Sequence, residues 1–190
     1  MINGLPRNWR PQLARPVFAI AGGLTDFRKR HVMTQKELVM EAARMAVEEN
    51  NLNIASVKDF KRLVNFCVYS QFAPHFADQL LSAAVVHDYM GFNPLGNVEV
   101  TTGGATGGAS VFTAVNMIAS GYADLVVVPG WEMMDEVSTR QGNTYIAHAA
   151  DKDFEFRLSR IYTNYYALMA RRYLHEYPHI ARRTLSKVAV

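Results

Sequence analysis

Asn97-Val-Glu-Val-Thr-Thr-Gly-Gly-Ala-Thr-Gly-Gly-Ala-Ser-Val-Phe-Thr-Ala-Val-Asn-Met-Ile-Ala-Ser-Gly-Tyr-Ala-Asp-Leu-Val-Val-Val-Pro-Gly130 reads as a strand, a glycine-rich turn, a helix, a glycine stop and a second strand. Alternation of β-branched residues marks Asn97–Thr102 and Leu125–Pro129 as strands, and helical spacing marks about Ala105–Ser120 as the helix between them. From Val100 to Ala123 no residue is charged. A helix without a charged face is normally buried on all sides, so this one is expected at the centre of the protein, between layers. Gly103 and Gly104 permit torsions or close approaches that a side chain forbids, and Gly107 and Gly108 permit tight packing on the first helical turn. The free N–H groups there suit an anion or an oxyanion. A purely structural reading, in which the glycines only allow close packing, stands beside the functional one.

Known phosphate motifs do not fit the turn. Gly103 to Gly108 has Walker spacing, but Ala109 and Ser110 follow where Lys is needed. No register supplies the dinucleotide fingerprint, and Ser110 lies in no nucleophile elbow.

Outward from this segment the chain alternates strands and helices, the pattern of an α/β layered sheet. Pro16–Ala21 and Leu63–Ser70 read as further strands. A helix from about Gln35 to Asn50 opens on the capping box Thr34 and Glu37, with Leu38, Ala42, Met45 and Ala46 on its buried face. A second helix is expected from Pro74 to Met90, with Leu80, Leu81, Ala84 and Val85 on the sheet and Gly91 as left-handed cap. Trp131–Phe156 shows no clear period and reads as an excursion with loops. Leu158–His175 reads as an aromatic-rich helix stopped near Pro178. The expected organisation is an extended N-terminal arm over 1–15, an α/β domain over 16–130, and a loop excursion with its following helix over 131–190.

The 190 residues are 49% hydrophobic and 19% charged, which excludes a disordered tail, and a single cysteine excludes a disulfide scaffold. No Cys/His spacing resembles a metal site, and a reducing cytoplasmic setting is the default. The longest apolar stretches, Val17–Leu24 and Leu125–Gly130, are far short of the ~20 residues a membrane span needs. After position 156 seven cations face only Glu176, leaving +6 there and −3 before it for the net +3. Such a basic quarter could hold phosphates, although solvated helices are often this basic, and no nucleic-acid motif accompanies it.

Several weak motifs in order then carry a resemblance. Gly22-Gly23-Leu24-Thr25-Asp26-Phe27 follows the opening strand, Ala105-Thr106-Gly107 heads the central helix, and Gly121–Val128 reads G-x-A-D-x-V-x-V. Gly130-Trp131-Glu132-Met133-Met134 reads G-x-E-x-M, and Ala170–Tyr173 and Lys187–Val190 fit the helix and strand that follow. The chain resembles the N-terminal half of the thiolase superfamily, in the branch of sterol-carrier-protein thiolases, archaeal thiolases and thiolase-like aldolases. The resemblance implies a layered α-β-α fold, with a mixed sheet, a buried central helix and part of the loop domain. It implies a coenzyme A thioester as substrate, no covalently bound cofactor and no metal.

In such thiolases the residue before A-T-G is the nucleophilic cysteine; here it is Gly104. The acyl-enzyme route is closed at that position, and Cys67, placed in a strand among Phe66, Val68 and Tyr69, reads as a packed small hydrophobe. Retro-aldol cleavage of a β-hydroxyacyl-CoA needs only an acid/base pair and enolate stabilisation, so an aldolase-type lyase is the leading expectation. A non-catalytic subunit and a thiolase with an altered or mutated nucleophile are the alternatives. Glu132 and His148 are the candidate acid/base residues, Gly103, Gly107 and Gly108 the candidate acyl or oxyanion contacts, and Arg157 and Arg160 the candidate CoA contacts. His87 and Asp88 read as closing the second helix, a cationic His87 answering its dipole. The family resemblance further implies a dimer paired through Asn97–Thr102 or a hetero-oligomer, a C-terminal thiolase half that supplies the histidine, and a zinc-ribbon/OB-fold partner protein.

Overall fold

The computed structural model describes residues 13–27, 32–48, 54, 57–158 and 161–189. It divides into two compact units, Met1–Glu136 and Val137–Val190. The first holds helices α1 (Gln35–Glu48), α2 (Val57–Leu63), α3 (Ser82–Tyr89) and α4 (Thr106–Ala119), with strands β1 (Phe66–Ser70), β2 (Gly96–Val100) and β3 (Val126–Val127). The second holds α5 (Thr139–Ala147), α6 (Glu155–Leu158), α7 (Tyr162–Glu176) and α8 (Arg182–Ser186).

The three strands form one sheet in the order β2-β1-β3 with both pairings parallel. Central β1 is buried on both faces, as a continuous apolar strand of a parallel sheet should be. Phe66 and Val68 pack with Ala114 of α4 and with Ala123, Val98 and Val126. Cys67 and Tyr69 point the other way, into a core with Val39 of α1, Val86 of α3, Met90, Phe92 and Trp131. Helix, sheet and helix are thus stacked in the α/β layered arrangement that the alternating pattern predicts. Each fully buried Val or Phe contributes ~1.5–3 kcal/mol.

Local chemistry explains the ends of the elements. The carboxylate of Glu37 reaches back to accept from the Thr34 N–H at 2.7 Å, the expected half of a capping box, while the Thr34 hydroxyl donates to the same oxygen at 2.8 Å. Gly91 and Gly121 close α3 and α4 with φ of +69° and +79°, where a side chain would be strained. The charge-free helix α4 satisfies its polar groups itself. Ser110 donates to Gly107 O at 2.8 Å and Thr113 to Ala109 O at 2.8 Å.

Five expectations need correction, one of them the strand matched to Lys187–Val190, where Lys187–Ala189 is a 3-10 turn. Pro16–Ala21 is not a strand and pairs with no described strand. The segment is tied down instead by Arg15, whose guanidinium donates to the Asp124 carboxylate at 2.9 Å, to the Ile118 carbonyl in the last turn of α4 and to the Ala123 carbonyl beyond it. The helix expected from Pro74 to Met90 is broken into a 3-10 turn, Pro74–Phe76, and α3, with Asp78 between them at φ +47°. That left-handed residue resets the helical phase. Ala83, Val86 and His87 face the core while Leu80 and Leu81 are exposed. The central helix is buried on one stripe, Thr106, Ser110, Ala114 and Ala119, while Gly107, Gly108, Val111 and Phe112 are exposed. Finally, the excursion over Trp131–Phe156 contains α5, started by the Ser138 side chain accepting from the Gln141 N–H. The N-terminal arm before residue 13 and the C-terminal end of the first predicted helix, at Asn50, lie outside the described residues. No described helix is long and apolar enough to cross a membrane, and no described group of three His, Cys, Asp or Glu side chains could hold a metal ion.

Candidate functional site at the carboxyl ends of the strands

From β1 the chain crosses through α3 to β2 on one side, and from β2 it crosses back through α4 to β3 on the other. The loops leaving β1 and β2 therefore part toward opposite faces of the sheet. In open α/β sheets a crevice forms at such a switch point, outside the carboxyl ends of the strands. Gln71 and Phe72 leave β1 there, Thr101–Ala105 leave β2, and Trp131 and Glu132 follow β3.

The glycine turn is built by Thr106. Its hydroxyl accepts from the Thr102 N–H at 2.9 Å and donates to Gly103 O at 2.7 Å. Gly103 adopts φ +62°, so its glycine is required, and a Cβ there would lie 3.7 Å from the Phe72 ring. Gly104, Gly107 and Gly108 have nothing within 4 Å of where a Cβ would stand. Their glycines are not demanded by packing within the described chain, contrary to the expectation that Gly107 and Gly108 receive a neighbouring element. Thr106 N–H and Ala105 N–H are taken by Gly103 O and Thr102 O. The N–H groups of Gly107 and Gly108 are left over, as the first turn of a helix leaves them.

Glu132 enters the site by an unusual route. The parallel ladder between β1 and the segment after β3 runs Ser70 N–H to Pro129 O at 3.0 Å, then Trp131 N–H to Ser70 O at 3.2 Å. Regular pairing would next send Phe72 N–H to Trp131 O. Instead Phe72 N–H donates to the Glu132 carboxylate at 2.6 Å, and the ladder ends. Phe72 O in turn accepts from the Thr101 hydroxyl at 2.9 Å, and Gln71 donates through Nε2 to Glu99 at 2.8 Å. Gln71 is 3% exposed, and its Oε1 has no partner among the described residues.

Burial pushes the Glu132 carboxyl up to about 7, against the lowering effect of the Phe72 N–H. Its folded-state proton affinity is raised, so its stabilising contribution is full below the ordinary carboxylate range near 4.5 and is lost as pH rises through about 7. Glu132→Gln keeps an acceptor for Phe72 and removes that loss. The variant is expected to melt like the parent near pH 4.5 and above it at pH 8. After allowance for partial exposure the gain is ~1 kcal/mol, or roughly 2–4 °C. Matching melting curves at both pH values would contradict this.

The remaining candidates fall elsewhere. His87, expected as a cation on the helix end, is 2% exposed, and burial holds its proton affinity below the ordinary histidine value. It is a neutral core residue bonded to Tyr69 and Leu95 O, because α3 turns it inward. Cys67 is fully buried and its thiol is pushed up to about 11 by desolvation, which makes it an inert packing residue. His148 caps α5 in the second unit, where it stacks on Phe156 with ring centres 4.7 Å apart. Arg157, in the same unit, is exposed and pairs with Asp153 at 3.5 Å; Arg160 lies outside the described residues. Sequence reasoning missed Gln71, Phe72 and Thr101. A Gln just past an apolar strand was the available signal.

Residues 17–190 match the family model of the thiolase N-terminal domain. Over 163 residues the chain is 30% identical to an acetyl-CoA acetyltransferase of Methanocaldococcus jannaschii, covering 86% of this chain and 40% of that protein. Over 176 residues it is 28% identical to an acetyl-CoA acetyltransferase of Methanothermobacter thermautotrophicus, covering 93% of this chain and 44% of that protein. The chain thus spans less than half the length of these curated relatives. With the parallel sheet, the flanking helices and the glycine turn in place, the match over nearly the whole chain makes this a member of the thiolase N-terminal domain family.

Proposed function

We propose that this chain is the N-terminal part of a thiolase-fold assembly that acts on an acyl-CoA thioester, breaking a carbon–carbon bond by a retro-aldol route or forming one by its reverse. The observation that carries the reading is that residue 104, the position that the family resemblance assigns to the nucleophile, is a glycine with open space around it, beside the unfilled N–H groups of α4. Without a side chain there, no acyl-enzyme forms at the usual position. Donors at a helix N-terminus still stabilise a developing oxyanion or enolate, which retro-aldol cleavage requires. The names of the two relatives support an acyl-CoA substrate. An acid/base pair is also needed, and the relatives' greater length is consistent with its lying in a C-terminal half. The case for His148 as acid or base, and for Arg157 and Arg160 as CoA phosphate contacts, rests on sequence alone.

A non-catalytic subunit shares the empty nucleophile position and is the second reading. In both readings the outer edge of β2, which has no strand partner among the described residues, pairs with a second copy, and a zinc-ribbon/OB-fold protein joins the assembly. Light scattering that gives a stable monomer at micromolar concentration would overturn the pairing.

Because nothing lies within 4 Å of a Cβ at Gly104, large side chains there are expected to leave the melting temperature nearly unchanged. Gly104→Trp should nonetheless weaken thioester binding by ~10-fold or more, the equivalent of at least ~1.4 kcal/mol. The deciding experiment incubates the copurified complex with a β-hydroxyacyl-CoA and follows both products and protein mass. Aldehyde or ketone release from unmodified protein is the expected result. Retained CoA binding without turnover favours the non-catalytic reading, and a mass increase on this chain overturns both.

A further inference from the structure

Glu132 has the chemistry of a general acid or base, but its position points to a different task. Its Oε2 is occupied by the Phe72 N–H at 2.6 Å, in place of the backbone carbonyl that would continue the sheet. Phe72 is the hub of this end of the molecule. Its carbonyl holds the Thr101 hydroxyl at 2.9 Å, its ring stands 3.7 Å from the Cβ position of Gly103, and it meets the Phe76 ring at 6.2 Å between centres. Thr101 and Gly103 are the two ends of the short run that delivers Gly104. A shift of the Phe72 backbone therefore reaches the glycine turn through the Thr101 hydrogen bond, and its ring borders the space beside Gly103 that a Cβ would enter.

We propose that Glu132 is a positioning residue, which sets the Gly103–Gly104 turn by holding Phe72 at the point where the sheet ends. An ionised carboxylate grips the N–H with a charge-assisted bond, whereas the protonated carboxyl accepts more weakly and leaves Phe72 free to relax. The turn is accordingly tightest when Glu132 is charged. Among the described residues of the segments that meet here, the ionisable groups are Glu99 of β2, which takes the Gln71 amide, His75 on the 3-10 turn after Phe72, and Asp135 and Glu136 in the stretch following Glu132. None of these contributes to the displacement of Glu132, whose causes are burial and the Phe72 N–H.

The inference rests on the proposed function only for its consequence, that thioester affinity follows the state of the turn. Backbone amide shifts of the isotopically labelled full chain between pH 5.5 and 8.5 test it directly. The Phe72 amide proton is expected to move downfield with a midpoint near 7, and the Gly103 and Gly104 amides to move with the same midpoint. In Glu132→Gln all three lose that transition. In Phe72→Ala, which keeps the N–H but removes the ring, the Glu132 carboxyl still titrates while the Gly103 response shrinks. Glycine amides that stay fixed while Phe72 moves, or that titrate unchanged in Glu132→Gln, overturn the inference; the parent titration alone suffices if a variant does not fold. Acetyl-CoA affinity measured on the copurified complex at the same pH values separates the two proposals. Coupled amides with no acetyl-CoA binding at either pH leave the positioning role standing and remove the proposed function.

Discussion

Replacing His87 with alanine is expected to cost ~2–5 kcal/mol, from a core cavity and from stranded polar groups together. The Leu95 carbonyl, 3.1 Å from Nε2, can only accept, so Nε2 carries the proton. Nδ1 is then a lone pair, and the Tyr69 hydroxyl donates to it at 2.9 Å. This chain of bonds ties β1, α3 and the turn before β2 together inside the apolar core. Removing the imidazole takes away the partner that the buried Tyr69 hydroxyl and the Leu95 carbonyl each have in His87.

The same geometry fixes the pH dependence. A second proton on His87 would make Nδ1 a donor and oblige the Tyr69 hydroxyl to turn and accept, in a site where burial disfavours the charge. The folded-state proton affinity is lowered, so the contribution is fully present above the ordinary histidine value of ~6.5 and is lost as pH falls through the folded-state value. Denaturant unfolding at pH 8 and pH 5 should therefore show a larger cost for His87→Ala at pH 8. An equal cost at both would mean that folding does not lower the proton affinity of His87.

Gly23→Ala is the second large effect. A Cβ at Gly23 would lie 1.9 Å from Ala42 O and 2.7 Å from Ala46 N, both backbone atoms of α1 that cannot turn aside. Gly22, its neighbour, has nothing within 4 Å of a Cβ. The expected outcome is a loss of ~1–3 kcal/mol or more for Gly23→Ala, because the segment must lift off the helix, and less than ~0.5 kcal/mol for Gly22→Ala. Equal melting temperatures for the two variants would refute the contact. Ala42 and Ala46 thus serve as the floor on which the Gly22–Phe27 turn sits close to α1.

The layers, the Glu37 half of the capping box at Thr34, the glycine stops at Gly91 and Gly121 and the turn at Gly103 were legible in the sequence. Each depends on a few neighbouring residues whose torsions or spacing decide the outcome locally, and the apolar run in β1 required burial on both faces. The family resemblance was legible for the same reason, since its motifs are short runs in order. Other features depend on partners far along the chain. Asp78 resets the phase of the second helix only because Phe76 and Val86 both seek the core, and that rotation turns His87 inward and Leu80 outward. Pro16–Ala21 has strand-like residues but gains no neighbouring edge, and Arg15 fastens it to carbonyls more than a hundred positions away. Glu132 meets Phe72 across 60 residues, so no local pattern reveals that a carboxylate ends the sheet. Sequence specified where the glycine turn begins and that Gly104 lies within it. Tertiary structure decided what holds that turn, because a hydrogen bond between distant segments exists only once the strands that carry them are paired.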